Sequence, residues 1–314
     1  MRQVFPPQRE GVLYLTEGGQ ETEIMYRHGH ALDEFAMFPL LDDPLALVDL
    51  RRMYERYLET AVRPQCAPLM GGVDYRASPD WGAKLGYSPD GLADMQARAI
   101  GFLRDVAQPF RGQLPDIRFA GIVGPRGDAY ELNRMITADE AEDYHSVQIA
   151  SLRQAGVDVV SAMTFNSPAE AVGVARAAAR AGLPLIIYFT LDSTGRLKSG
   201  MKVQEAIATV DAEAGDDQPD CYGLNCSHPL AFEPALEPGD WIRRVRSFRP
   251  NAALMDKQQL CQIGHLVDGD PPELGRQMGA PGARYPHIDI WGGCCGTWDR
   301  HLDAIAREVR AARA

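Results

Sequence analysis

The chain has 314 residues, 45% of them hydrophobic and 24% charged, enough apolar material for one large α/β domain or two modest ones. Thirty-two basic residues against 43 acidic ones give a net charge of −11, which argues against nucleic acid and anionic membranes as partners. The longest apolar runs, such as 184–189, are strand-sized, and the opening MRQVFPPQRE lacks the apolar core of a signal peptide. A cytoplasmic location is therefore expected, with the six cysteines reduced.

Residues 12–17 form a short apolar strand that breaks at Gly18-Gly19. Pro44, following Asp42 and Asp43, opens a helix over 44–61. A second strand is expected within 62–73, where Pro64 and Pro68 interrupt the pattern. Leu92, Met95, Ala99, Phe102, Leu103 and Val106 share one face of a helix over 90–107. The strand at 119–123 stops at Gly124-Pro125. Thr137 and Glu140 have capping-box spacing, so a helix runs from there to Ala155 and ends at Gly156. Strand 157–164, helix 168–181 with Gly182 behind it, and strand 184–190 make a βαβ unit. A helix over 201–208, an acidic loop over 211–220 and a strand at 221–225 follow. A seventh strand is expected at 252–255, and the Pro- and Gly-rich stretch 264–286 reads as one long excursion. Strand 288–291 runs into Gly292-Gly293, and Leu302, Ile305 and Val309 line one side of the last helix. About eight strand–helix pairs predict an α/β fold with a single (β/α)8 TIM barrel domain over 1–314; a doubly wound open sheet is the competing architecture.

Two motifs carry chemistry. Gly223-Leu224-Asn225-Cys226 ends the sixth strand, and Gly292-Gly293-Cys294-Cys295-Gly296 ends the eighth. In a barrel those C-terminal ends share one face, the face on which active sites are built. Three cysteines with one coordination position left open form the donor set of a catalytic zinc. A substrate thiol at the open position would be deprotonated near neutral pH and still nucleophilic. The flanking glycines allow the tight bend that two adjacent ligands require. A redox pair at Cys294-Cys295 is a weaker reading, because redox cysteines are usually spaced C-x-x-C. Cys66, Cys221 and Cys261 read as core residues, and His228 as a solvated group or one near the metal loop without touching the ion.

With GLNC and GGCCGT the sequence resembles the homocysteine S-methyltransferase family of zinc-dependent barrel enzymes. The likeness extends over nearly the whole chain, through Glu17-Gly18-Gly19-Gln20-Glu21-Thr22-Glu23, Gly121-Ile122-Val123-Gly124-Pro125 and Ala155-Gly156-Val157-Asp158. The resemblance implies that Cys226, Cys294 and Cys295 hold Zn2+ and that homocysteine sulfur takes the fourth place. It implies that Gly18 and Gly19 help hold the amino-acid end of the substrate through backbone N–H groups, beside Glu17, and that Asn225 orients the metal loop. Two positions depart from the family pattern: Met163 stands where many members carry a substrate-binding Glu, and Glu17 replaces the first-strand Asp.

The expected reaction is in-line methyl transfer from a small activated donor to a small-molecule thiol, homocysteine giving methionine. The alternatives are another small thiol or selenol as acceptor, or a zinc-binding, thiol-sensing protein without turnover. Cationic donors favour aromatic faces, which nominates Tyr75, Tyr130 and Trp291. Arg126 and Asp128 are candidate pocket polars, and Glu21 and Glu23 candidate partners for a substrate amine.

Overall fold

Strands covered by helices on the outside and packed inside a barrel have no solvent face, so they read as continuous apolar runs. The computed structural model, which describes residues 3–129, 131, 135–255 and 264–314, shows this arrangement. Its strands are β1 (Tyr14–Leu15), β2 (Ala67–Gly71), β3 (Arg118–Val123), β4 (Val159–Phe165), β5 (Leu185–Phe189), β6 (Cys221–Asn225), β7 (Val245–Arg249) and β8 (Ile290–Trp291). All pair in parallel and in chain order, and β8 returns to β1 through Tyr14–Ile290 and Leu15–Trp291. That closure decides for the (β/α)8 barrel over the open sheet.

Among the described residues the α-helices are α1 (Gln20–Tyr26), α2 (Pro44–Val62), α3 (Pro79–Lys84), α4 (Pro89–Ala107), α5 (Ala138–Ala155), α6 (Pro168–Ala181), α7 (Val203–Ala214), α8 (Pro229–Phe232), α9 (Pro271–Arg284) and α10 (Asp299–Ala311); α2, α4, α5, α6 and α10 fall where expected, α7 starts within 201–208 but runs on into the expected acidic loop, and α3 and α8 lie where the sequence predicts none. The reciprocal capping box at α5 forms, with Glu140 N–H on Thr137 Oγ1 at 3.2 Å and Thr137 N–H on Glu140 Oε2 at 3.0 Å. Gly156 ends that helix in the left-handed region at φ 78°. Among the described residues, no helix is long and apolar enough to cross a membrane.

Three expectations need correction. Pro68 does not interrupt β2 but sits within it, opposite Leu15 of the short β1. The seventh strand is Val245–Arg249, not 252–255. Its arginines find buried acidic partners: Arg246 clasps Asp289 through Nε at 2.9 Å and Nη2 at 2.6 Å. The excursion 264–286 contains the 14-residue helix α9, packed closely on α10. A Cβ at Gly275 would come within 2.9 Å of Ala304, so the glycines that disguise this helix permit its packing.

The main core lies between barrel and helices, while Tyr14, Leu69, Ile122, Met163, Ile186 and Tyr188 belong to a second cluster inside the barrel. Cys66 and Cys221 are buried, as expected of core cysteines. Cys261 lies outside the described residues.

Candidate active site

At the end of β6 the chain leaves the sheet at Cys226, whose φ of 59° is left-handed, an unusual conformation for a side chain other than glycine. Backbone and side-chain bonds hold it there. Cys226 N–H donates to Arg249 O at 3.1 Å, and Asn251 Nδ2 donates to Cys226 O at 3.1 Å. The second cysteine loop is tied to the same neighbours, with Cys294 N–H on Pro250 O at 2.8 Å and Ala252 N–H on Cys295 O at 3.0 Å. Thr297 closes this turn by donating its Oγ1 to Cys294 O at 2.7 Å.

The two loops bring the three sulfurs within 4.8 Å of one another, with Cys226 Sγ and Cys295 Sγ 3.6 Å apart. Two thiolates on a tetrahedral zinc, each at ~2.3 Å, lie ~3.8 Å apart, so the donor set fits such an ion. The hydrogen bond with Cys226 contributes most to raising the Cys294 and Cys295 thiols, and burial adds to it. Thiols crowded in this way ionise together only if a cation compensates their charge. Asn225 bridges the neighbourhood, its Nδ2 donating to Cys294 Sγ at 3.8 Å and its Oδ1 accepting from Thr164 N–H at 3.1 Å.

A cavity of about 60 Å³ opens on the sulfurs, and Glu17, Gly18, Gly19, Tyr75 and Asn225 all border it with the three cysteines. Their roles within it differ. Glu17 has both carboxylate oxygens engaged, Oε1 by Arg249 Nη2 at 2.6 Å and Oε2 by Gly71 N–H at 2.8 Å. Gly19 N–H donates to Thr297 O at 2.9 Å, so, against expectation, it is not a free donor for a substrate but braces the turn that carries Cys294 and Cys295. Tyr75 donates to or accepts from Thr164 Oγ1 at 2.8 Å, and burial pushes its phenol up. Glu21 also borders the cavity, where burial pushes its carboxyl up to about 7. Met163 forms part of the wall.

Several further candidates belong elsewhere. Glu23 is buried, bonded by Tyr57 Oη at 2.6 Å and paired with Arg56. Trp291 is 1% exposed and donates its indole N–H to Ile288 O at 3.0 Å, a core residue. Arg126 pairs with Asp80 at 3.0 Å, Asp128 is exposed, and neither borders a cavity with the thiols. Tyr130 lies outside the described residues. His228 caps α8 by accepting from Leu230 N–H at 3.4 Å and borders an adjoining cleft of about 240 Å³ that shares Cys226. Sequence reasoning missed Arg249, a buried residue bordering the thiol cavity, because it placed the seventh strand beyond it.

Fold and site define the class: a (β/α)8 barrel enzyme with a cluster of three thiols at the C-terminal ends of its strands. The chain belongs to the homocysteine S-methyltransferase family of methyltransferases, whose model matches residues 14–309. It is 23% identical over 296 residues to homocysteine S-methyltransferase 4 of Zea mays, covering 84% of this chain and 80% of that protein. It is 29% identical over 175 residues to a methionine synthase of Mycobacterium leprae, a match that spans 53% of this chain but only 14% of that protein's length. Among solved structures, the oxidized form of the homocysteine methyltransferase MmuM from Escherichia coli superposes with a TM-score of 0.73 at 19% identity, covering 98% of this chain and 97% of that one. The metallated form of the same protein gives 0.68 at 19% identity, covering 95% and 96%. At these identities the likeness is one of fold.

Proposed function

We propose that the protein transfers a methyl group from a small activated donor to the thiol of homocysteine, giving methionine, with Zn2+ held by Cys226, Cys294 and Cys295. The observation that carries this reading is the meeting of three sulfurs within 4.8 Å, from two separate loops, beside a small hollow bordered by polar side chains. A zinc ion held there would supply the positive charge that keeps an acceptor thiol ionised near neutral pH.

The rest of the work falls to the chain's own residues. Asn225 steadies Cys294 by donating to its sulfur. Gly18 and Gly19 let the start of α1 approach the Cys294–Thr297 turn closely, and their backbone forms one wall of the cavity where the acceptor would lie. Tyr75 offers an aromatic face for a cationic donor. The residues bordering the cavity would align the acceptor sulfur with the donor methyl carbon for in-line displacement, and alignment of this kind supplies much of a bimolecular rate. The chemistry needs all three thiols reduced, as the cytoplasm would keep them.

A different small thiol or a selenol is the second reading, favoured by Met163, whose thioether cannot act as a carboxylate toward a substrate ammonium. Zinc per chain, measured in the wild type and in Cys226→Ala, Cys294→Ala and Cys295→Ala with and without homocysteine, tests both. Stoichiometric zinc that each variant loses, with a change in metal coordination on adding homocysteine, supports the first reading. Zinc that ignores homocysteine but answers another thiol supports the second. Zinc-free wild type after reducing, metal-replete purification overturns both.

A further inference from the structure

The turn that carries Cys294 and Cys295 ends at Trp298, which takes no part in the chemistry above. Its backbone is held at the start of α10, where its N–H donates to His301 Nδ1 at 3.2 Å and its carbonyl accepts from His301 N–H at 2.9 Å. His301 is fully buried, and with Nδ1 accepting, its Nε2 donates to Asp268 O at 2.6 Å. The indole is held differently. Its N–H has no acceptor among the described residues, but the Arg27 guanidinium lies over the ring, 3.5 Å from the centroid, and that of Arg300 lies 4.9 Å away. Among the described residues no carboxylate pairs with Arg27, so the aromatic face is the partner its charge finds.

Arg27 directly follows α1, and α1 is fixed to the outer helices. Glu23 of α1 is buried, accepts from Tyr57 Oη at 2.6 Å and pairs with Arg56 of α2, which also reaches Asp299 Oδ1 of α10 at 3.3 Å. The cysteine turn leans on this frame through Gly19 N–H on Thr297 O at 2.9 Å, through Gly296 N–H on Thr22 Oγ1 at 3.0 Å, and through Trp298 under Arg27. The two hydrogen bonds act near the start of α1. The stack acts past its end, a helix length of ~10 Å further on. We propose that Trp298, stacked by Arg27, is a positioning residue that keeps Cys294 and Cys295 in register with Cys226, and that without the stack the turn opens locally while the barrel stays folded. The inference takes this turn as the metal-binding turn of the reading above, yet the stack is testable whether or not the chain holds zinc.

The test is alkylation of the reduced, full-length protein by iodoacetamide with a chelator present, read at each cysteine by mass spectrometry. Cys66 and Cys221, core cysteines each 1% exposed, report global opening in the same sample. Trp298→Leu should label Cys294 and Cys295 ~5-fold faster or more, and Arg27→Gln ~2–5-fold faster, the worth of a cation–π contact at an exposed site expressed as an opening equilibrium. Trp298→Phe keeps an aromatic face and should return the rate to within about twofold of the wild type. Labelling of Trp298→Leu at the wild-type rate overturns the assignment. So does a rate that rises equally at Cys66 and Cys221, which marks general destabilisation, and so does a Trp298→Phe protein labelled as fast as Trp298→Leu. If Trp298→Leu does not fold, Arg27→Gln decides, because its side chain is exposed, and unchanged labelling in that variant overturns the assignment. A zinc-free wild type removes the metal reading and leaves these rates, and what they say of the stack, as they are.

Discussion

Gly19→Ala tests whether the proposed metal-binding turn at Cys294 and Cys295 depends on the first helix. A Cβ at Gly19 would lie 2.9 Å from the carbonyl carbon of Cys294 and 2.7 Å from Thr22 Oγ1. Thr22 can rotate, but the Cys294 carbonyl oxygen lies nearer still to that Cβ, so the Cys294 backbone must retreat by more than the 0.5 Å that would carry its carbon to 3.4 Å, where ordinary contact begins. Metal–ligand distances tolerate deviations of only about 0.2 Å. A shift of this size in one of three ligands should therefore lower zinc affinity ~10–100-fold, the range found when groups supporting a metal site are altered. The Gly19 N–H bond to Thr297 O at 2.9 Å would loosen with it. Competition against a chromophoric zinc chelator measures the effect, with circular dichroism to confirm that the barrel is intact. A folded Gly19→Ala protein with wild-type zinc affinity would refute the argument that Gly19 is small for the sake of Cys294.

Gly101, within α4, has open space around the position of a Cβ, so Gly101→Ala should stabilise the protein by ~0.5–1 kcal/mol in urea denaturation and leave zinc affinity unchanged. Asp289→Ala should cost ~3–5 kcal/mol by stranding Arg246, yet the folded fraction should retain its zinc, because that pair sits at the strand ends away from the thiols. Asp74 is fully buried, and burial pushes its carboxyl from 3.8 to about 7. Between those values the unfolded chain has lost the proton and the folded chain keeps it, so stability falls as pH rises through the window. Glu21 adds a slope of the same sign between 4.5 and about 7. Asp74→Asn should flatten the decline in unfolding midpoint across that window and raise stability above pH 7; an unaltered pH profile would count against a buried neutral carboxyl.

The parts of this protein legible in its sequence are those whose causes are local. The capping box at Thr137, the Pro168 start and Gly182 end of α6, and the glycine-flanked cysteines each act within a few residues. The seventh strand escaped because its causes are remote. Arg246 is neutralised by Asp289, 43 positions away, and Arg249 by Glu17, 232 positions away, while the nearby apolar run 252–255 offered a false alternative. Helix α9 escaped because Gly275, Gly279 and Gly282, which lower helix propensity, are there to admit α10. Within the site, all the residues assigned from the two motifs border one cavity, but the engagement of Glu17 by Arg249 depends on barrel closure, which no local pattern encodes.

The left-handed turn at Cys226 bears on any effort to transplant this site onto another barrel. A non-glycine residue in that conformation costs about 1–2 kcal/mol. It is retained here by Asn251 on the Cys226 carbonyl and by Arg249 O on its N–H. Next to it Thr164 is also left-handed, at φ 64°, with its N–H taken by Asn225. A designer who copied only three cysteines into a host barrel would leave the host backbone free to relax, and the first sulfur would swing away from the other two. The graft must carry both asparagines and the two twisted strand ends along with the thiols, so the smallest portable unit is a set of interlocked loop backbones.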